Sequence, residues 1–200
     1  MKMTKTVSRN ILISISLLII GTAFIAEPNF TQANITKPIT GNNQPVWAVH
    51  FDFPVGKPDA KGYYNAQGFG TNHHLGDDWN GNGGGNTDLG DTVYAVANGY
   101  LVSAQDLKGG WGNVIVIKHY LDDFTMVNSL YAHCDKMLVK KKNQLIRRGD
   151  PIGTIGTANG IYPAHLHFEM RHDTDLPVGG GYSADTSGYL DPTQFINAHR

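Results

Sequence analysis

Three short stretches of this chain gather histidines and acids: Asn72-His73-His74-Leu75-Gly76-Asp77-Asp78, Leu130-Tyr131-Ala132-His133 and Ala164-His165-Leu166-His167-Phe168-Glu169. They hold five of its nine histidines. Side chains alternate along an extended strand, so His165 and His167 share one face while Leu166 and Phe168 point to the other, toward a core. Two imidazoles on one strand face with an apolar backing make half of a metal site. A histidine and an aspartate four residues apart around Gly76 can supply the rest from a bend, and both His73 with Asp77 and His74 with Asp78 have that spacing. Zinc suits the inventory, because it accepts neutral imidazole and carboxylate, and a catalytic site leaves one of its positions free for water. The ion acidifies that water and polarises a carbonyl, while histidines outside the ligand set shuttle protons or steady an oxyanion. His50, His119, His172 and His199 lie outside these stretches and read as surface or satisfied core residues. The lone cysteine, Cys134, excludes a disulfide framework and a Cys-rich zinc ribbon.

Elements able to position such groups read as strands. Val93–Ala97, Leu101–Ala104, Val114–His119, Thr125–His133 and Leu166–Met170 are rich in Val, Ile, Tyr and Phe. Turn signals separate them at Asn98-Gly99, Gly109-Gly110, Arg148-Gly149-Asp150 and Asn159-Gly160. With no convincing helix between them, they predict an all-β or β-rich, antiparallel domain with few short helices. The Gly/Asn run from Asn80 to Asn86 reads as a loop beside the first motif. Asp78-Trp79-Asn80-Gly81-Asn82-Gly83 resembles the opening of a calcium loop, but Leu89 stands where such a loop needs Glu.

The three motifs, in this order, resemble those of the lysostaphin-type (LytM-like) peptidoglycan endopeptidases, whose signatures are H-x-G-x-D, Y-A-H and H-L-H-F-E. The resemblance continues through Asp91 to Gly99, Trp111 to Val114 and Arg148 to Gly156, and covers roughly His74 to Pro192. It implies an antiparallel sheet forming an open groove with one zinc ion at its floor. It implies His74, Asp78 and His167 as zinc ligands, the family spacing selecting this register over His73 and Asp77. His133 and His165 become the catalytic histidines that bind no metal. The implied reaction is hydrolysis of amide bonds in the stem or cross-bridge peptides of peptidoglycan. Two rivals accompany it: a non-catalytic or latent wall-binding or activator module of the same fold, and a secreted zinc protease acting on proteins. Tyr63 and Tyr64 precede the first motif without matching a family position.

Composition narrows the setting. A formal net charge of -1 and a pI near 6.7 offer no field for nucleic acid. Lys2, Lys5 and Arg9 precede an uncharged stretch from Asn10 to Ala26, the pattern of an export signal, so residues 1–26 are expected to be a signal peptide or an N-terminal anchor. The chain would touch a membrane only through an uncleaved segment there. Residues 27–46, rich in Asn, Thr, Pro and Gln, read as an arm or linker able to occlude the site, and 47–200 as the catalytic domain. The basic run Lys136, Lys140 to Lys142, Arg147 and Arg148 reads as a solvated hairpin. Oligomeric state has no signature in the sequence.

Overall fold

The computed structural model describes residues 46–200, so the expected signal or anchor and nearly all of the arm lie outside the described residues. Ten strands follow in chain order: β1 (Tyr63–Gln67), β2 (Asp77–Gly81), β3 (Thr92–Tyr94), β4 (Gly99–Asp106), β5 (Asn113–Tyr120), β6 (Met126–Cys134), β7 (Leu145–Ile146), β8 (Pro151–Thr154), β9 (Leu166–Arg171) and β10 (Tyr189–Leu190). A single short α-helix, α1 (Pro192–Ala198), closes the described chain. The main sheet runs β1-β2-β9-β6-β5-β4-β7, with β10 also on β9, while β3 and β8 form a separate pair. Every pairing is antiparallel, as the strand pattern predicts. Among the described residues no helix is long and apolar enough to cross a membrane.

The centre of the sheet is buried on both faces, and its polar residues find partners there. All of β6 but Met126 is buried, as is all of β9. One face packs Ile115, Ile117, Tyr131, Leu166, Phe168 and Met170 into the core together with Phe51, Val93, Ile152 and Ile155. Leu166 and Phe168 thus point where strand alternation sends them. Ser129 Oγ lies 2.7 Å from His119 Nε2 and 3.0 Å from Tyr131 Oη, and His119 Nδ1 donates to Asn98 O at 2.9 Å. Burial pushes the His119 imidazole down to about 4, its bond to Asn98 notwithstanding. Cys134 is buried, and burial pushes its thiol up to about 12.

The departures from the expected elements have local causes. β3 ends at Tyr94 rather than Ala97, because Ala95 exchanges backbone bonds with Gly149 and Asp150 and Val96 O accepts from Asp52 N. β2 occupies the start of the expected Gly/Asn loop, since Asp77-Asp78-Trp79 pairs with β9 on one side and β1 on the other. The remainder of that loop is tied down: Asp88 accepts from Gly81 N at 2.8 Å and the Asn86 side chain from Ala164 N at 2.8 Å. Helix α1 starts where Asp191 caps Gln194 N with Pro192 following, a signal legible in the chain but attached to too few residues to show a helical period. The basic run from Lys140 to Lys142 is exposed, as expected of a solvated segment.

Candidate metal centre and its cleft

Pairing of β2 with β9 sets Asp78 directly opposite His167, so the two side chains rise from one face as neighbours. His74 enters from the bend before β2, which is held by an isolated bridge between His74 and Tyr182. Gly76 lets the bend lie against β9: a Cβ there would sit 2.5 Å from Phe168 O and 2.9 Å from Glu169 Cγ. The close approach demands glycine, which supplies the physical reason for its place between the histidine and the aspartate.

Three potential ligand atoms converge. His74 Nε2 lies 2.9 Å from His167 Nδ1 and 3.3 Å from Asp78 Oδ1, and His167 Nδ1 lies 3.0 Å from Asp78 Oδ1. Among the described residues, these are the histidines and acids whose potential ligand atoms gather in a group of three or more. The opposite ring nitrogens are committed elsewhere. His74 Nδ1 donates to Gln67 O at 3.1 Å and His167 Nε2 to Glu169 Oε1 at 2.9 Å, which leaves the inward nitrogens with lone pairs to offer. Glu169 is itself held by Arg171, whose Nε donates to Oε2 at 2.6 Å.

The electrostatics favour positive charge at this point. Burial works to raise the Asp78 carboxyl, but hydrogen bonds from His167 and His74 overcome it and hold the group well below the usual range. Burial likewise disfavours a charged His167, yet without a metal the bonds to Asp78 and Glu169 prevail and lift it to about 9, so a bound cation has to displace the second proton from Nδ1. Two imidazoles and a carboxylate with oriented outer partners match the N/O ligand set of a catalytic zinc site with three protein ligands. The other register does not converge: His73 is exposed, and Asp77 turns away to accept from Thr193 Oγ1 at 2.6 Å and Phe69 N at 3.1 Å.

His133 and His165 stand beside this group. His133, near the end of β6, has φ +62, a left-handed conformation uncommon outside glycine, and its Nδ1 donates to Trp111 O at 3.3 Å. His165, just ahead of β9, donates from Nδ1 to Pro163 O at 2.9 Å, and its Nε2 lies 3.8 Å from Asp78 Oδ1. The two rings are 4.7 Å apart between centroids. Both therefore keep Nε2 as the unsatisfied nitrogen. Burial, then the neighbouring His167 and His165, push His133 down to about 3, so it is neutral and an acceptor near pH 7.

All of this opens on a cavity of about 360 Å³ lined by Asp78, His133, His165 and His167 together with Trp111, Tyr162, Tyr182 and glycines 110, 180 and 181. Trp111 packs 5.4 Å from His167, Tyr182 5.0 Å from His74 and Tyr162 5.2 Å from His133, between ring centroids. Sequence reasoning missed these aromatics as cleft residues. Tyr162 follows the Asn159-Gly160 turn and Tyr182 follows Gly179-Gly180-Gly181, so an aromatic beside a glycine turn was the available signal. Tyr63 instead donates to Asp91 at 2.6 Å and is not among the residues lining the cavity.

Comparison with known proteins agrees with the motif resemblance. The murein hydrolase activator NlpD of Escherichia coli is 40% identical over 83 residues, 42% of this chain and 20% of its own length. The peptidoglycan DD-endopeptidase ShyB of Vibrio cholerae is 34% identical over 107 residues, 50% of this chain and 24% of its own. A solution structure of lysostaphin, a Staphylococcus simulans protein, superposes with a TM-score of 0.51 at 25% identity, covering 68% of this chain and 51% of that one. The chain thus spans a minor part of these two curated relatives and about half of the solved one. The model of Peptidase family M23 matches residues 77–178, from the start of β2 to beyond β9, just after His74. Since that span is more than half of the chain and carries Asp78, His133, His165 and His167, the chain belongs to peptidase family M23.

Proposed function

We propose that this chain is a zinc-dependent endopeptidase that hydrolyses amide bonds in the stem or cross-bridge peptides of peptidoglycan. The observation that carries the reading is the convergence of His74 Nε2, Asp78 Oδ1 and His167 Nδ1 beside two further histidines whose Nε2 atoms are uncommitted. His74, Asp78 and His167 would hold the ion, one per chain. Zinc, when bound, supplies a Lewis acid that acidifies water and polarises the scissile carbonyl. His133 and His165 accept or return a proton at Nε2, their Nδ1–H groups being fixed by the carbonyls of Trp111 and Pro163. Trp111, Tyr162 and Tyr182 wall the cleft and would flank an extended peptide lying over its floor. The uncharged N-terminal stretch behind Lys2, Lys5 and Arg9 supports export to the cell envelope, where such a substrate lies.

A second reading, activation of other wall hydrolases without catalysis, is favoured by the likeness to a murein hydrolase activator. The presence of all five polar side chains around one cleft favours the catalytic reading. Mass spectrometry of muropeptides after incubation of purified peptidoglycan, with and without chelator, tests it. New amide cleavage products that disappear with chelator and with His167→Ala are expected. Intact muropeptides in every arm, with zinc bound, would favour the activator; cleavage of casein and not of peptidoglycan would favour a general protease.

A further inference from the structure

Arg171 is buried at the end of β9, away from the substrate cavity, and its donors divide between two tasks. Nε and Nη2 hold Glu169 Oε2 at 2.6 and 2.5 Å, and Glu169 Oε1 in turn accepts from His167 Nε2. Nη1 donates to Pro177 O at 3.0 Å and Nη2 to Val178 O at 2.8 Å. Those carbonyls are the root of the segment 177–183, whose glycines and Tyr182 form one wall of the cleft. The far end of that wall is fastened to the other side of the ligand set: Leu75 N donates to Gly181 O at 2.9 Å and Ser183 N to His73 O at 2.9 Å. Between the two anchors the wall is Gly179-Gly180-Gly181, steadied by Trp111 Nε1 donating to Gly179 O at 2.9 Å. Three consecutive glycines do not hold a conformation by themselves.

We propose that Arg171 is a positioning residue that sets the cleft wall 177–182 in register with His167, so that one guanidinium fixes both the outer partner of a ligand and the root of the substrate wall. A planar fork can serve a carboxylate and two carbonyls together; an ammonium presents a point charge and cannot hold that geometry.

The test is Arg171→Lys in the 15N-labelled full chain, read by backbone order parameters, zinc affinity and, on the reading of the site as a peptidase, kinetics. Lysine keeps a cation for Glu169, so zinc affinity should stay within about threefold of native, short of the ~10–100-fold losses that follow removal of an outer partner. Order parameters at 178–182 should fall from about 0.85 to below about 0.6, with β6 and β9 unchanged. KM should rise with kcat nearly constant, the signature of lost substrate registration. Unchanged order parameters at 178–182 in a folded variant would overturn the proposal. If the variant does not fold, the native chain decides: zinc must rigidify 178–182 together with 165–169, and rigidification of 165–169 alone overturns it. Failure of the peptidase reading would show as absent turnover in the native chain and leaves the metal-free order parameters as the deciding measurement.

Discussion

His74 and His167 turn opposite nitrogens toward the same point, Nε2 from one and Nδ1 from the other, because each has its second nitrogen tied to a different acceptor. His133 and His165 have the same kind of tether but end in an unshared Nε2. This difference separates the outcomes of substitution. His167→Ala should drop bound zinc from about one ion per chain to near zero by elemental analysis, and hydrolysis with it. His133→Ala should retain the ion yet lose about 10²–10⁴-fold in kcat, the usual span for a positioned proton-transfer group. A His133→Ala protein that loses its metal would move His133 into the ligand set. The histidines and aspartates were legible in the sequence as ordered motifs, although the residues themselves left His73 and His74 as equal candidates. The motif resemblance selects His74 with Asp78, and in the structure it is this pair that gathers with His167. Arg171, Trp111, Tyr162 and Tyr182 were not legible as site residues, because they reach the cleft through loops and long-range hydrogen bonds that leave no short-range spacing.

At the scale of the element, the site rests on two neighbouring strands and a bend. β5, β6 and β9 were readable from apolar content, with ends off by a residue or so. β2 was not: Asp77-Asp78-Trp79-Asn80-Gly81 carries no β-branched residue, and its extended form comes from its partners β1 and β9. Without that pairing the first motif reads as a bend, yet the pairing is what sets Asp78 opposite His167. Gly76 marks the closest contact of this arrangement. Gly76→Ala would force the bend away from Phe168 O and Glu169, destabilising the fold by about 1–3 kcal/mol, as overpacked sites do. It should also weaken zinc retention, because His74 and Asp78 flank the displaced segment. A chelator competition assay and a urea midpoint check both; unchanged values in each would mean the backbone has slack that the structure does not show.

For the molecule as a whole, His119 ties stability to pH at a point outside the cleft. Its folded value is depressed to about 4 by burial, against about 6.5 in an unfolded chain. The folded state therefore binds fewer protons between these values. This contribution is present in full above about pH 6.5, is lost as pH falls toward 4, and amounts to about 3 kcal/mol at the linkage rate of ~1.4 per unit. In the metal-free chain His167 has the opposite sign, since a group raised to about 9 in the fold favours the folded state at lower pH and loses that advantage as pH rises through 9; a bound metal removes this term by taking the proton's place. Comparison with His119→Gln isolates the first effect: the denaturation midpoint of the native chain should fall more steeply between pH 6.5 and 4 than that of the variant. Parallel curves would mean that His119 takes up its proton in the fold at an ordinary pH.

Cys134 carries a last consequence. Its sulfur is enclosed at the end of β6, where burial pushes the thiol well above its ordinary value, and no other cysteine is present in the chain. Neither crosslinks nor thiolate ligands hold this fold, so dithiothreitol and mild peroxide should leave its unfolding curve and its metal content alike. The described fold therefore owes none of its stability to a disulfide, and a change of redox potential reaches it through no thiol at its surface.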